Sequence, residues 1–399
     1  MSTQSDISTT VSNLDTLPME GVHDREGLAR YETAFGEHKT IWAEILEENA
    51  ERLTRGSYSL HWMDTDGVNW GKRAKPSSRG LTYVDVNRVK NTGDIPTMAT
   101  WRNFTPRGSI REPYAEQFPI VESYDVLNRA GLWADNVETL YEEAKARQWN
   151  ATRDIAWSEL EALPDDLEKA TCQLCTFLTE VEFVAGDFPS KWMVRIPQDF
   201  LEVKSFLSTQ IMDEARHQEV FRKRALAGGG LLHSSPGFEW ALQAILEAPT
   251  HTMGTFLLNL LGEGLVLSIF RSGEMIAKTR VDKEIFRRCL QDEARHVSYG
   301  VMQFKYFLDN HPNRADALED MHRFADVGEM VILTSFTEAA LVEPLAILLG
   351  GGLDKIDEGM EGMGKLWAMS IEEYLARCER AGFDRRDRCK IPANAPWAA

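Results

Sequence analysis

The chain has 399 residues, 43% of them hydrophobic and 10% aromatic, enough apolar material for one large core or two ordinary ones. With 44 basic residues against 62 acidic ones the net charge is −18, which excludes a general surface for nucleic acid or anionic membrane. Five cysteines, an odd number, and no basic start followed by an apolar run within residues 1–20 argue against a secreted disulfide framework and for a reducing cytoplasm.

Residues 1–25 are rich in Ser, Thr and Asp and are expected to form a mobile tail. Residues 26–160 form an N-terminal extension. A helical pattern runs over 29–54 through Tyr31, Phe35, Ile41, Trp42, Ile45 and Leu46. From 56 to 118, Gly, Pro, Ser and Asn recur among Trp62, Trp70, Tyr83 and Trp101, so this stretch is loop-rich with room for a short hairpin. A structureless insert of that length is unusual, so it is expected to wrap the rest of the molecule or pack at a subunit interface, as in a homodimer. Helix returns at 136–147. Pro164-Asp165-Asp166 opens the next helix with an acid-rich first turn that suits the helix dipole. It should stop near Asp187, before Pro189. Further helices are predicted at about 198–226, 236–247, 252–279, 281–309, 314–349 and 360–381. The triplets Gly228-Gly229-Gly230 and Gly350-Gly351-Gly352 lack both a following Lys-Ser/Thr and a preceding strand, so they read as turns and not as phosphate loops. Long helices with short breaks indicate an all-α bundle, with its core in 161–311 and C-terminal helices 312–399 packed on it. Thr252 to Phe270 is apolar enough to suggest a membrane span, but Glu263 stands in its middle, where a carboxylate in lipid is costly. A buried helix carrying one functional acid is the better reading.

The pentapeptide Asp-Glu-Ala-Arg-His occurs at 213–217 and again at 292–296. Each copy contains Glu-x-x-His, Glu214/His217 and Glu293/His296, and residues three apart share a helix face. Two such helices, each partnered by a helix with one more Glu, form the inward-facing cage of a dinuclear metal site. Glu263 precedes Glu293 by about thirty positions, so the first copy should have an acid about that far before Glu214. Glu182 and Glu180 both qualify. Glu182 is preferred because Cys175, Thr179, Ala185 and Gly186 on its face are small and leave room for a metal, with Glu180 as the alternative ligand. The proposed set is Glu182, Glu214, His217, Glu263, Glu293 and His296. Its four carboxylates balance two divalent ions, and an oxygen/nitrogen donor set without thiolate suits iron or manganese. Asp213 and Asp292 can accept the outer N–H of the histidines across a pseudo-twofold pair, held by Arg216 and Arg295.

Asp-Glu-x-Arg-His in two copies, together with Val181-Glu182-Phe183-Val184-Ala185-Gly186-Asp187, resembles the diiron subunit of bacterial multicomponent monooxygenases and, more widely, the ferritin-like diiron superfamily. The resemblance covers about residues 170–310. It implies a ferritin-like four-helix bundle core and two non-haem Fe ions, or a Mn/Fe pair. It also implies O2 as co-substrate, an apolar or aromatic organic substrate, and electrons from a reductase or ferredoxin. Those hydroxylases place a Thr where this chain has Leu267, beside Ser268. Ribonucleotide-reductase small subunits place a radical Tyr where this chain has Phe221, and the Tyr299 near the second histidine reads as a core-edge aromatic. A stand-alone N-oxygenase or acyl-desaturase-like oxidase is the alternative enzyme, and a metal-binding accessory subunit the alternative non-enzyme.

Other features read as ordinary structure. Cys172-x-x-Cys175 lies inside a predicted helix, where buried small residues are expected rather than a redox pair. His233, His251, His311 and His322 lack partners at ligand spacing, so solvent or capping roles are expected. Glu329, Glu338 and Glu343 read as solvated acids, with a channel lining as the alternative. Phe177, Phe183, Phe206, Phe256, Leu260 and Leu267 could wall a substrate pocket, although aromatics at helical spacing are commonly core.

Overall fold

The computed structural model describes residues 126–397 without 127, 234 and 235, together with Arg55 and Ser78. The expected tail 1–25, the helix 29–54 and, Ser78 apart, the stretch 56–118 lie outside the described residues. Apart from Arg55, the described residues belong to one compact unit of the chain.

Every regular element among them is helical. In order these are α1 (Val137–Ala146), α2 (Asp165–Met193), α3 (Leu201–Gly228) and α4 (Pro236–Leu246). Next comes a continuous rod made of α5 (His251–Thr255), a π-helical segment (Phe256–Gly262) and α6 (Glu263–Ile276). Then follow α7 (Arg280–Asn310), α8 (Arg314–Phe336), α9 (Ala339–Gly350) and α10 (Ile356–Arg380). Side chains mark several starts. Thr250 Oγ1 accepts from Met253 N at 3.2 Å and Thr279 Oγ1 from Asp282 N at 3.0 Å, each satisfying a first-turn amide. Asp165, Asp166 and Glu168 fill the first turn of α2.

Helices α2, α3, α6 and α7 form the core bundle. Two buried apolar clusters fill it. One gathers Phe177, Phe221, Phe270 and Phe286, the other Phe206, Leu260, Tyr299 and Phe304. Both α2 and α7 run from the first cluster to the second, and α3 and α6 run the opposite way. Each sequential pair is thus antiparallel, as a short connection requires. Glu182, Glu214, Glu263 and Glu293 sit between the clusters, in a polar layer across the middle of the bundle. Outside it, α1 packs on α3, α9 on α2, and α10 on α6 and α9.

Three predicted boundaries are corrected. Helix α2 continues through Pro189 to Met193. Pro189 lies in the last turns, where it removes a single helix bond, and Phe188 and Trp192 beside it are buried in the core. The predicted helix 314–349 is two helices, broken where Glu338 is extended (φ −63°, ψ 135°), which lets α9 turn onto α2 and α10. The predicted helix 252–279 contains a π segment just before Glu263. An extra residue per turn there shifts the phase of everything after it, which apolar periodicity does not reveal. The rod from His251 to Ile276 is long and apolar enough to cross a membrane, but 89% of its most apolar window is buried inside the protein.

Candidate metal centre

On α3 and α7, three-residue spacing puts Glu214 with His217 and Glu293 with His296 on the faces turned to the bundle axis, and all four are completely buried. Glu182 on α2 and Glu263 at the start of α6 complete the layer, at 3% and 4% exposure. Nδ1 of His217 lies 3.1 Å from Glu293 Oε1, 3.2 Å from Glu214 Oε2 and 3.9 Å from Glu182 Oε2. Nδ1 of His296 lies 2.8 Å from Glu214 Oε1, 3.5 Å from Glu293 Oε2 and 3.8 Å from Glu263 Oε1. The atoms form two overlapping groups, Glu182/Glu214/His217/Glu293 and Glu214/Glu263/Glu293/His296, each within 4.8 Å. Glu214 and Glu293 belong to both. Glu180, the alternative, is half-buried one turn-edge away and joins neither group.

Behind each histidine is the acid of the other copy. His217 Nε2 meets Asp292 Oδ2 at 3.3 Å, and His296 Nε2 meets Asp213 Oδ2 at 3.3 Å. A carboxylate can only accept here, so each Nε2 carries a hydrogen, and each Nδ1 faces the acids, where it can bind an ion once it is deprotonated. The arginines tie the acids together. Arg295 donates to Asp213 (2.8 Å) and Asp292 (2.6 Å), and Arg216 to Asp292 (3.1 Å) and Asp213.

The electrostatics follow from this crowding. Burial, and then the neighbouring Glu214, push the Glu182 carboxyl far above its ordinary range. Burial and Glu293 do the same to Glu263. Burial opposes ionisation of Glu214 too, but the two histidines outweigh it and hold its pKa down. His296 is raised despite burial, chiefly by Glu214 and Asp213. With no cation between the acids, Glu182 and Glu263 are driven toward their neutral forms, and a cation there would favour their ionised ones.

The donor set fits a pair of metal ions. Glu182 Oε1, both oxygens of Glu214 and Glu293, and Nδ1 of both histidines are buried without a hydrogen-bond partner. Orphaned polar atoms converging in this way would be costly unless something else coordinates them.

Five nearby residues escaped the sequence reading. Trp149 donates its indole N–H to Asp292 at 2.7 Å, and Gln148 accepts from Arg216 at 2.5 Å. Both come from the loop after α1, which carries no metal-site signal. Gln210 and Asn259 donate to Glu263 at 3.1 Å and 2.7 Å. Each stands four residues before a ligand candidate, Glu214 or Glu263, and that spacing could have flagged them. Cys289 is a buried thiol beside His217, its pKa pushed up by burial to about 11.

Two expectations are corrected, for His251 and Glu329, while the other side chains singled out in the sequence take core, core-edge or surface places. None of Phe177, Phe183, Phe206, Phe256, Leu260 and Leu267 lines the apolar chamber that touches Glu182, Glu263 and Glu293; Val181, Leu258, Val266, Ile332 and Phe336 do. Phe183 is 52% exposed. The Ser268 hydroxyl turns from the acids to donate to Glu373 at 3.0 Å. His251 is buried, and Glu329 is fully buried in an ion network instead of solvated. Tyr299 donates to the Leu132 carbonyl at 2.7 Å and packs on Phe206, a core role.

No protein-family model and no curated protein matches the sequence. Among solved structures the chain is similar to two Tyr-to-Phe mutants of an R2-like ligand-binding oxidase with reconstituted Mn/Fe cofactor. The aerobically reconstituted one superposes with a TM-score of 0.52 at 18% identity, over 68% of this chain and 98% of the other. The anaerobically reconstituted one gives 0.51 at 19% identity, over 62% and 94%. The fold is the ferritin-like one.

Proposed function

We propose that this protein is an O2-dependent non-haem dimetal oxidoreductase acting on an apolar or aromatic organic substrate with electrons supplied from outside. The observation that carries the reading is the pair of overlapping four-residue groups that share Glu214 and Glu293. Glu214 and Glu293, which belong to both groups, would take part in holding both ions. Glu182 with His217, and Glu263 with His296, would each complete one ion's set. The solved relatives hold Mn/Fe, so a mixed pair as well as two irons suits this donor set. When bound, such a pair supplies the redox equivalents and open coordination positions that O2 reduction needs.

The chain's own residues do the rest. Asp213 and Asp292 fix the histidine tautomers and ring planes. The apolar clusters above and below the layer keep bulk water out. The chamber walled by Val181, Leu258, Val266, Ile332 and Phe336 opens on Glu182, Glu263 and Glu293, which is where a small apolar substrate would lie. Nothing in that wall offers a nucleophile, so the substrate would be held by shape and not by a covalent link. A reductase or ferredoxin is the expected electron donor.

Loading the metal-free protein with Fe(II) without oxygen, then admitting O2 and a reductant, tests the reading. Two ions bound per chain and O2 consumed are expected, and product analysis of a cell extract incubated with the enzyme should identify the substrate. Glu214→Ala and His296→Ala should each lower metal content sharply, and unchanged stoichiometry would reject the ligand assignment. Binding of two ions without any oxygen reaction would favour a metal-binding accessory role.

A further inference from the structure

The two halves of the layer offer matching ligands. Glu182 and Glu263 are counterparts, and each has an oxygen at nearly the same distance from its own histidine, 3.9 Å and 3.8 Å. Their surroundings differ. Glu263 accepts from two buried side-chain amides, Gln210 on Oε1 at 3.1 Å and Asn259 on Oε2 at 2.7 Å. Glu182 Oε1 has no hydrogen-bond partner.

We infer that Gln210 and Asn259 clamp Glu263, so that the Glu263/His296 position is pre-organised and takes its metal ion first, while the Glu182/His217 position fills second and more weakly. This rests on the dinuclear reading above and adds an order of filling to it. A carboxylate offers about four lone-pair directions, so each oxygen of Glu263 can accept one amide and still face an ion. Both donors are neutral. They favour the carboxylate form without cancelling the charge that attracts a cation. Their own placement is fixed by packing. Gln210 is 1% exposed on α3, one turn before Glu214. Asn259 sits in the π segment, four residues before Glu263. Opposite it, Gly300 on α7 leaves the space: a Cβ there would come within 2.6 Å of the Asn259 Cβ. Among the described residues no such amide donates to Glu182, so its carboxylate is held less firmly than that of Glu263 before an ion arrives.

Adding Mn(II) to the metal-free, full-length protein, followed by calorimetry and by the electron paramagnetic resonance of bound Mn(II), tests this. Two resolved binding events are expected. The first should give an isolated Mn(II) spectrum and the second a spin-coupled pair. His217→Ala should keep the tight event and His296→Ala should lose it. Gln210→Met, close in shape but without the donor, should weaken the tight event about 10- to 100-fold, with the helical circular dichroism unchanged. Asn259→Leu should act in the same direction. Gly300→Ala should do so too, by pushing Asn259 aside without removing its amide. Retention of the tight event in His296→Ala but not in His217→Ala would overturn the order of filling. So would equal weakening in both histidine variants, or no change in Gln210→Met. Absence of any Mn(II) or Fe(II) binding would instead overturn the dinuclear reading itself.

Discussion

At the scale of single residues, polar groups buried away from the acid layer carry consequences of their own. His251 is 2% exposed, its Nδ1 donating to the Gly131 carbonyl at 3.1 Å and its Nε2 unpartnered. Burial lowers its pKa to about 4 from an ordinary 6.5. The folded protein therefore holds the ring neutral where the unfolded chain would protonate it. Stability contributed by the neutral ring is complete above about pH 6.5 and is lost progressively as pH falls toward 4, by at most about 3 kcal/mol. A His251→Gln variant should show a flatter fall in Tm between pH 6.5 and 4 than the unmodified protein, whatever its stability at neutral pH. The same residue marks a limit of reading from sequence. Glu214, His217, Glu293 and His296 were legible because helices repeat them at three-residue spacing, in duplicate, and Glu182 and Glu263 because each stands about thirty residues before its copy. His251 and Glu329 occur singly, and what buries them comes from segments far away in the chain: Gly131 for the histidine, Tyr374 and Arg385 for the glutamate.

At the scale of elements, the bundle helices were legible and their irregularities were not. Apolar spacing locates α2, α3, α6 and α7 because each buries a broad stripe. It is silent on the π segment before Glu263 and on Pro189 inside α2, because both alter backbone bonds without altering which side chains are apolar. Close helix crossings are equally hidden. Gly359 in the first turn of α10 faces α9 so closely that a Cβ would stand 1.8 Å from the Ala346 carbonyl oxygen. Backbone cannot yield as a flexible side chain does, so Gly359→Ala should force the two helices apart. The expected loss is about 1–3 kcal/mol or more, from overpacking at a rigid contact. Thermal denaturation should show it as a lowered Tm, with Gly362→Ala as the control. A Cβ at Gly362 meets only Leu349 side-chain atoms at 3.5 Å or beyond, an ordinary contact.

At the scale of the described molecule, the last residues are fastened to the bundle by one buried ion network. Arg385, fully buried, donates to Glu329 through Nε (2.9 Å) and Nη2 (2.8 Å), and to Asp326 at 2.6 Å. Tyr374 O–H and the Lys390 backbone N–H also donate to Glu329, at 2.6 Å and 2.7 Å. Trp367 then donates to the Pro392 carbonyl at 2.8 Å and packs edge-on against Trp397. Removing one partner strands the other charge, at a cost of about 3–5 kcal/mol. Arg385→Met should therefore expose residues beyond Arg380 to limited proteolysis. The double variant with Glu329→Leu should recover much of the protection, because it leaves no unpaired charge. Composition alone offered no hint of this fastening, since Glu329 and Arg385 look like any two charges on an acidic chain.

The exchange of partners behind the histidines has one more consequence. Each imidazole depends on an aspartate that belongs to the opposite copy of the pentapeptide, and both aspartates lean on both arginines. Neither helical hairpin carries a finished binding position by itself. Loosening α7 would leave the histidine of α3 without its aspartate, and the reverse, so the two halves of the layer must appear and vanish together as the chain folds or melts.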